Sequence, residues 1–215
     1  MKVIDLSMPV QSTNVQYQDY KVDVVNIPLK SDKTEYTGVV YRIVMDSMNT
    51  SYVDLPGHIA ETDDGRDGSN APVQDFFRLP CTVIRFDLPS GYGAVHAEDL
   101  EKACGGRPGT PGLIINAVGE SNQHMTDFEY RSVYLAMDAV KWIIDSGVKV
   151  LLSDIYESTA LEGVFLELFK HGVTAICEAR NMHLLTGKKV LLTALFLPLP
   201  GVTQLPCRLV AECEE

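Results

Sequence analysis

The sequence predicts an α/β fold, a single β-rich domain built on a mixed sheet. Three observations carry this. Short β-type runs dominate the first half, strands alternate with helical stretches in the second, and glycines close those helical stretches. Strand–helix–strand alternation implies right-handed crossovers and some parallel pairing. A chain of 215 residues fits one domain, 1–215, with a sizeable core.

The first strands are Val3 to Leu6, Val22 to Ile27 and Val39 to Met45, the last two separated by the polar loop Ser31 to Glu35. Ala60 to Pro72 is a long polar loop, and such loops are often functional. Cys81 to Phe86 is a strand, and His96 to Cys104 is a short helix ended by Gly105-Gly106. Gly112 to Ala117 is again a strand. Ser132 to Asp145 carries Val133, Leu135, Ala136, Val140, Ile143 and Ile144 at helical spacing and stops at Gly147. Val148 to Leu152 is a buried strand, Leu161 to Lys170 a helix stopped by Gly172, and Val173 to Cys177 a strand. Val190 to Leu197 and Arg208 to Ala211 complete the set.

Composition narrows the function. A net charge of −11 without any basic run argues against nucleic acid, whose phosphates need clustered Lys and Arg. Five cysteines without a C-x-x-C spacing read as free thiols in a reducing compartment. No signal-peptide pattern and no bilayer-length apolar window are found, so no membrane association is expected and the expected location is cytoplasmic. There is no G-x-S-x-G elbow and no phosphate-binding glycine loop.

The richest stretch is Asn49-Thr50-Ser51-Tyr52-Val53-Asp54-Leu55-Pro56-Gly57-His58. If the extended chain continues after Met45, Met48, Thr50, Tyr52 and Asp54 share one face, and Pro56 ends regular pairing. A carboxylate and an imidazole then meet at a strand exit, a common place for reacting groups. Asp54 could instead only organise a turn, and His58 could be an ordinary surface histidine.

Asp54-Leu55-Pro56-Gly57-His58 resembles the end of the motif H-x-G-T-H-x-D-x-P-x-H of the cyclase family of metal-dependent hydrolases, the family of bacterial kynurenine formamidase. The opening Asp5-Leu6-Ser7-Met8-Pro9-Val10 resembles the same family, as do Ala97-Glu98-Asp99-Leu100, Leu113-Ile114-Ile115-Asn116, Ser153-Asp154, Gly172-Val173 followed by Glu178, and Pro206-Cys207-Arg208-Leu209-Val210-Ala211. The resemblance implies a swivelling β/β/α fold and a homodimer or larger homo-oligomer. It also implies hydrolysis of a small-molecule amide, formamide, lactone or cyclic substrate. By the same resemblance Asp54, His58 and Glu178 are the metal-site candidates, His58 also being the acid/base, and Tyr52 orients substrate or stabilises an oxyanion. Tyr17 falls where the family places a substrate-side aromatic.

The family's remaining metal histidines fall on Met48, on Tyr52, and on Phe165 or Leu166. Two carboxylates and one histidine cannot close two zinc sites. The expectation is therefore at most one divalent ion per chain (Zn, Mn or Mg), or none, with Asp54, His58 and Glu178 converging in one pocket. The missing histidines argue against kynurenine formamidase itself. The rival readings are a ligand-binding relative without catalysis and a metal-free isomerase or lyase. Glu178 could also simply pair with Arg180.

Overall fold

A computed structural model describes residues 1–10, 20–119 and 131–214. Its strands in chain order are β1 (Lys2–Asp5), β2 (Lys21–Lys30), β3 (Glu35–Val44), β4 (Tyr52–Asp54), β5 (Leu79–Arg85), β6 (Gly93–Val95), β7 (Gly112–Asn116), β8 (Val133–Leu135), β9 (Val150–Ser153), β10 (Thr174–Cys177), β11 (Lys189–Phe196) and β12 (Gln204–Cys213). The α-helices among these residues are α1 (Ala97–Cys104), α2 (Met137–Asp145) and α3 (Val164–Lys170).

Seven strands run in the order β12-β11-β5-β7-β9-β10-β4, and β4 pairs back onto β12. The sheet is therefore a closed mixed barrel. Strands β5, β7, β9 and β10 are mutually parallel, whereas β4, β11 and β12 join antiparallel. Strand β1 extends the sheet on the far part of β12. This is the mixed-sheet α/β architecture that the sequence predicts.

Strand periodicity divides the barrel residues into two sets. Val53, Val83, Ile114, Leu152, Ile176, Leu192 and Leu209 belong to one buried cluster, the barrel interior. Their neighbours Tyr52, Ile84, Leu113, Ile115, Leu151, Ala175 and Cys177 face outward. There they pack with Leu100 of α1, Val140 and Ile143 of α2, and Leu168 and Phe169 of α3. Each fully buried Leu or Ile contributes about 1.5–3 kcal/mol of transfer free energy. Gly112 stands beside Cys81 because a Cβ there would lie 2.2 Å from the Cys81 Sγ.

Two helix boundaries differ from the expected ones. The stretch 132–145 is not one helix. Val133 and Leu135 alternate and pair in parallel with β6, Ala136 donates its N–H to the Val95 carbonyl, and the helix begins only at Met137. A β-branched residue at the alternating position favours the strand, and helical spacing in the sequence concealed it. The helix expected from Leu161 begins at Val164, because Leu161 (φ 57°) and Gly163 (φ 93°) are left-handed. The Glu157 carboxylate accepts the N–H groups of Glu162, Gly163 and Val164, so it serves the donors that the helix start leaves open.

No helix among the described residues is long and apolar enough to cross a membrane. Helix α1 begins at a capping box between His96 and Asp99 and ends on left-handed Gly105.

Candidate functional site

Strand β4 is only three residues long, yet it pairs on both edges. Tyr52 lies opposite Cys177 of β10 and Pro206 of β12, and Asp54 lies opposite Ala175 and Gln204. Val53 points into the barrel, so Tyr52 and Asp54 point out toward the helical layer. The approach to β4 is pinned from outside. Ser51 donates through Oγ to the Glu178 carbonyl at 2.6 Å and accepts the Met8 N–H at 2.7 Å, and Thr50 donates to the Met8 carbonyl.

After Asp54 the chain turns at once. Leu55 is fully buried, Pro56 begins a single 3₁₀ turn, and the His58 N–H donates to the Leu55 carbonyl at 2.9 Å. This turn brings the His58 Nδ1 to 4.0 Å from the Asp54 Oδ1. That gap is too long for a hydrogen bond and short enough for one water to touch both groups. On the far side of the ring the Gln204 Nε2 lies 3.4 Å from the His58 Nε2, and Ser47 donates to the Gln204 Oε1. Cys177 Sγ stands 4.0 Å from the Asp54 Oδ2.

The electrostatics follow from burial. Asp54 is 3% exposed and its Oδ1 has no hydrogen-bond partner among the described residues. Desolvation pushes its carboxyl up to about 7, against the opposing hydrogen bond from Gln204. Burial also lowers His58 below the usual imidazole value. Tyr52 is pushed well up by burial and by the neighbouring Cys177, Asp54 and Glu178, and Cys177 is pushed up by burial, then Asp54 and Glu178. Near neutrality the site therefore holds a phenol, a thiol, a neutral imidazole and a carboxyl group close to its midpoint.

Asp154 is a useful contrast. Its carboxyl is also pushed up to about 7 by burial, but its two oxygens accept the N–H groups of Ala117 (2.7 Å) and Val118 (3.1 Å). It fastens a chain segment, whereas Asp54 is left with an unused acceptor.

Glu178, with φ 58°, pairs its carboxylate with Arg180 at 3.4 Å, and its charge reaches Tyr52 and Cys177. Among the described residues no three His, Cys, Asp or Glu side chains are placed to hold a metal ion. Met48 packs against the outer core, and Phe165 stacks on Tyr156 with ring centroids 4.8 Å apart. The positions read as lost metal histidines are thus filled by apolar or aromatic groups that fit their surroundings. Asp54 and His58 supply two donors, short of the three protein ligands of ordinary catalytic zinc sites. The donor set does not fit a metal centre of that kind. Tyr17 lies outside the described residues.

Gln204 and Ser47 belong to the site but were not singled out in the sequence. Strand alternation Gln204-Leu205-Pro206-Cys207 would have placed Gln204 on the outer face, but only the β4–β12 register places it beside Asp54.

The family model described as "Putative cyclase" matches residues 4–158. The chain belongs to the cyclase family. Solved structures of the same fold cover the chain almost end to end. A potential metal-dependent hydrolase with cyclase activity superposes with a TM-score of 0.68 at 20% identity, covering 100% of this chain and 98% of the other. A predicted metal-dependent hydrolase from Bacillus stearothermophilus gives 0.70 at 20% identity, covering 98% and 97%. Isatin hydrolase A from Labrenzia aggregata, bound to benzyl benzoate, gives 0.76 at 14% identity, covering 100% and 94%. At these identities the structures establish the fold alone. A search of curated protein sequences finds no match.

Two predictions arise from this site. Elemental analysis of protein purified without chelators should find at most one divalent ion per chain, and two tightly held zinc ions would contradict the donor count. The second concerns pH. The unfolded chain releases the Asp54 proton near 3.8 and the folded chain near 7. Between those values the unfolded state binds fewer protons, so this group's contribution to stability falls as pH rises from about 4 to about 7. The full penalty above pH 7 is on the order of 4 kcal/mol. Asp54→Asn should therefore raise the unfolding midpoint at pH 8 and leave it nearly unchanged at pH 4. A variant less stable than wild type at pH 8 would contradict the assignment.

Proposed function

We propose that this cyclase-family chain hydrolyses a small amide, formamide, lactone or cyclic substrate by proton transfer between His58 and Asp54. The observation that carries the reading is the buried Asp54 with an unused oxygen 4.0 Å from the ring of His58. Burial raises the Asp54 carboxyl to about 7 and lowers His58, so near neutrality a proton donor stands beside a neutral base, the state that acid–base chemistry uses. The isatin hydrolases among the fold's relatives support a cyclic substrate.

In this mechanism neutral His58 takes a proton from water as the water oxygen bonds to the substrate carbonyl carbon. The tetrahedral species collapses, and the bond from carbon to nitrogen or ester oxygen breaks. Protonated Asp54 gives its proton to that leaving atom. His58 then returns its proton to the Asp54 carboxylate, and the acid and the amine or alcohol leave. Gln204, itself held by Ser47, fixes the far ring nitrogen of His58. Tyr52 stays protonated and acts only as a donor toward developing negative charge. No step runs through a metal. Five free cysteines support a reducing, cytoplasmic setting.

A binding role without chemistry is the second reading, favoured by the apolar packing of Met48 and Phe165. The test is a screen of formamides, lactones and cyclic imides on wild type and His58→Ala, with circular dichroism matched. Turnover should fall by roughly 10²–10⁴-fold in the variant. Equal turnover in both would remove His58 from the chemistry. A wild type inactive on every substrate would leave the binding reading.

A further inference from the structure

The long polar loop from Ala60 to Pro72 is bonded to both segments that carry the site, the turn after Asp54 and the chain entering β12. Buried Thr62 donates through Oγ1 to the Pro56 carbonyl at 2.6 Å, which ties the loop to the turn bearing His58. Further along, the Gly68 N–H donates to the Val202 carbonyl at 2.9 Å, and the Asp67 Oδ2 accepts the Gly201 N–H at 2.8 Å. The Asp67 Oδ1 accepts the Ser69 N–H (2.8 Å), the Ser69 hydroxyl (2.7 Å) and the Asn70 N–H (3.2 Å). These bonds, the one from Gly201 foremost, hold the Asp67 carboxyl down to about 2, so it is an anion near neutrality. Two glycines set the spacing. A Cβ on Gly68 would lie 2.7 Å from the Leu205 Cδ2 and 2.9 Å from the Leu199 backbone. A Cβ on Gly57 would lie 2.8 Å from the Asp63 Oδ1 and 2.9 Å from the Thr203 Cγ2. Only glycine permits these close approaches.

We propose that Asp67 is a positioning residue, an anionic latch that sets Gln204 against His58. The stretch 197–203 lies between β11 and β12, so the sheet ladder does not fix it. The bonds from Asp67 and Gly68 do. A carboxylate accepting a backbone N–H makes a stronger bond than a neutral acceptor. The path from the latch to the site is short. Gly201 leads through Val202 and Thr203 to Gln204. The Thr203 carbonyl accepts the Leu55 N–H at 2.9 Å, next to Asp54 in the chain. Gln204 then lies opposite Asp54 in the β4–β12 register, with its Nε2 3.4 Å from the His58 Nε2. One segment is thus fastened by Asp67 at its start and presents at its end the amide that faces the imidazole. The neighbouring Asp64 takes no part in this. It accepts from the N–H and Nε of Arg66, whose Nη2 donates to the Gly172 carbonyl.

The proposal rests on the reading of His58 as the proton-moving group, but its test needs no substrate, so a failure of that reading can neither produce nor mask the result. NMR of the intact chain reads amide exchange and the histidine ring resonances, with His58 assigned as the set lost in His58→Ala. In wild type the amides of Leu55, Gly68 and Gly201 should be protected together, a readout that needs no variant. Asp67→Asn removes the anionic acceptor and should speed exchange at all three by roughly 10-fold. It should also move the His58 ring resonances, while His96, paired with Asp138, keeps its own. Gly68→Ala presses on Leu199 and Leu205 with Asp67 intact and should move the His58 ring as well. Asp64→Asn removes the same charge from the same loop and should leave the three amides and the His58 ring at their wild-type values. An unprotected Gly201 amide in wild type, an unmoved His58 ring in Asp67→Asn, or an equal movement in Asp64→Asn would overturn the proposal.

Discussion

The architecture depends on the closure made by β4. Three residues, Tyr52–Asp54, join β10 on one edge and β12 on the other, and without them the seven-stranded ring would be an open sheet. Closure removes two free edges and sets the register of everything beside them. It also decides where Asp54 goes. Val53 must face the barrel interior, so the Asp54 carboxyl one residue along the pleat must face the helical layer, where little water reaches.

From that constraint the electrostatics follow. A carboxylate held between strands and lacking a partner for one oxygen is costly to ionise. The turn at Pro56 brings only an imidazole within reach, and Gln204 from the closing strand steadies it. The same outer face accommodates Met48 and Phe165 by apolar packing. What is left is a small site with matched proton donors and acceptors and no third metal ligand among the described residues. Two solved structures of the same fold are described as metal-dependent hydrolases.

Much of this was legible in the sequence, and the failures have physical causes. Period-two alternation placed Tyr52 with Asp54, and glycines marked the helix ends. Periodicity misread Val133 to Leu135 because a strand running directly into a helix presents apolar residues that satisfy both spacings. Left-handed Leu161 left no trace in composition. Gln204 joins Asp54 through a pairing 150 residues apart in sequence, which only the barrel closure creates. Glu178 shows the converse. Its place at the end of β10 was foreseen, but the direction of its side chain was decided locally, by Arg180 and a left-handed backbone.

The claim at the centre is that closure of the barrel buries Asp54 and holds its proton near neutrality. Carbon-13 NMR of labelled aspartate carboxyl groups measures this directly, with Asp54 assigned as the resonance lost in Asp54→Asn. Asp154 provides a second buried carboxyl pushed up to about 7 for comparison. The account predicts an Asp54 midpoint near 7. A midpoint near 4, in the ordinary carboxylate range, would contradict it.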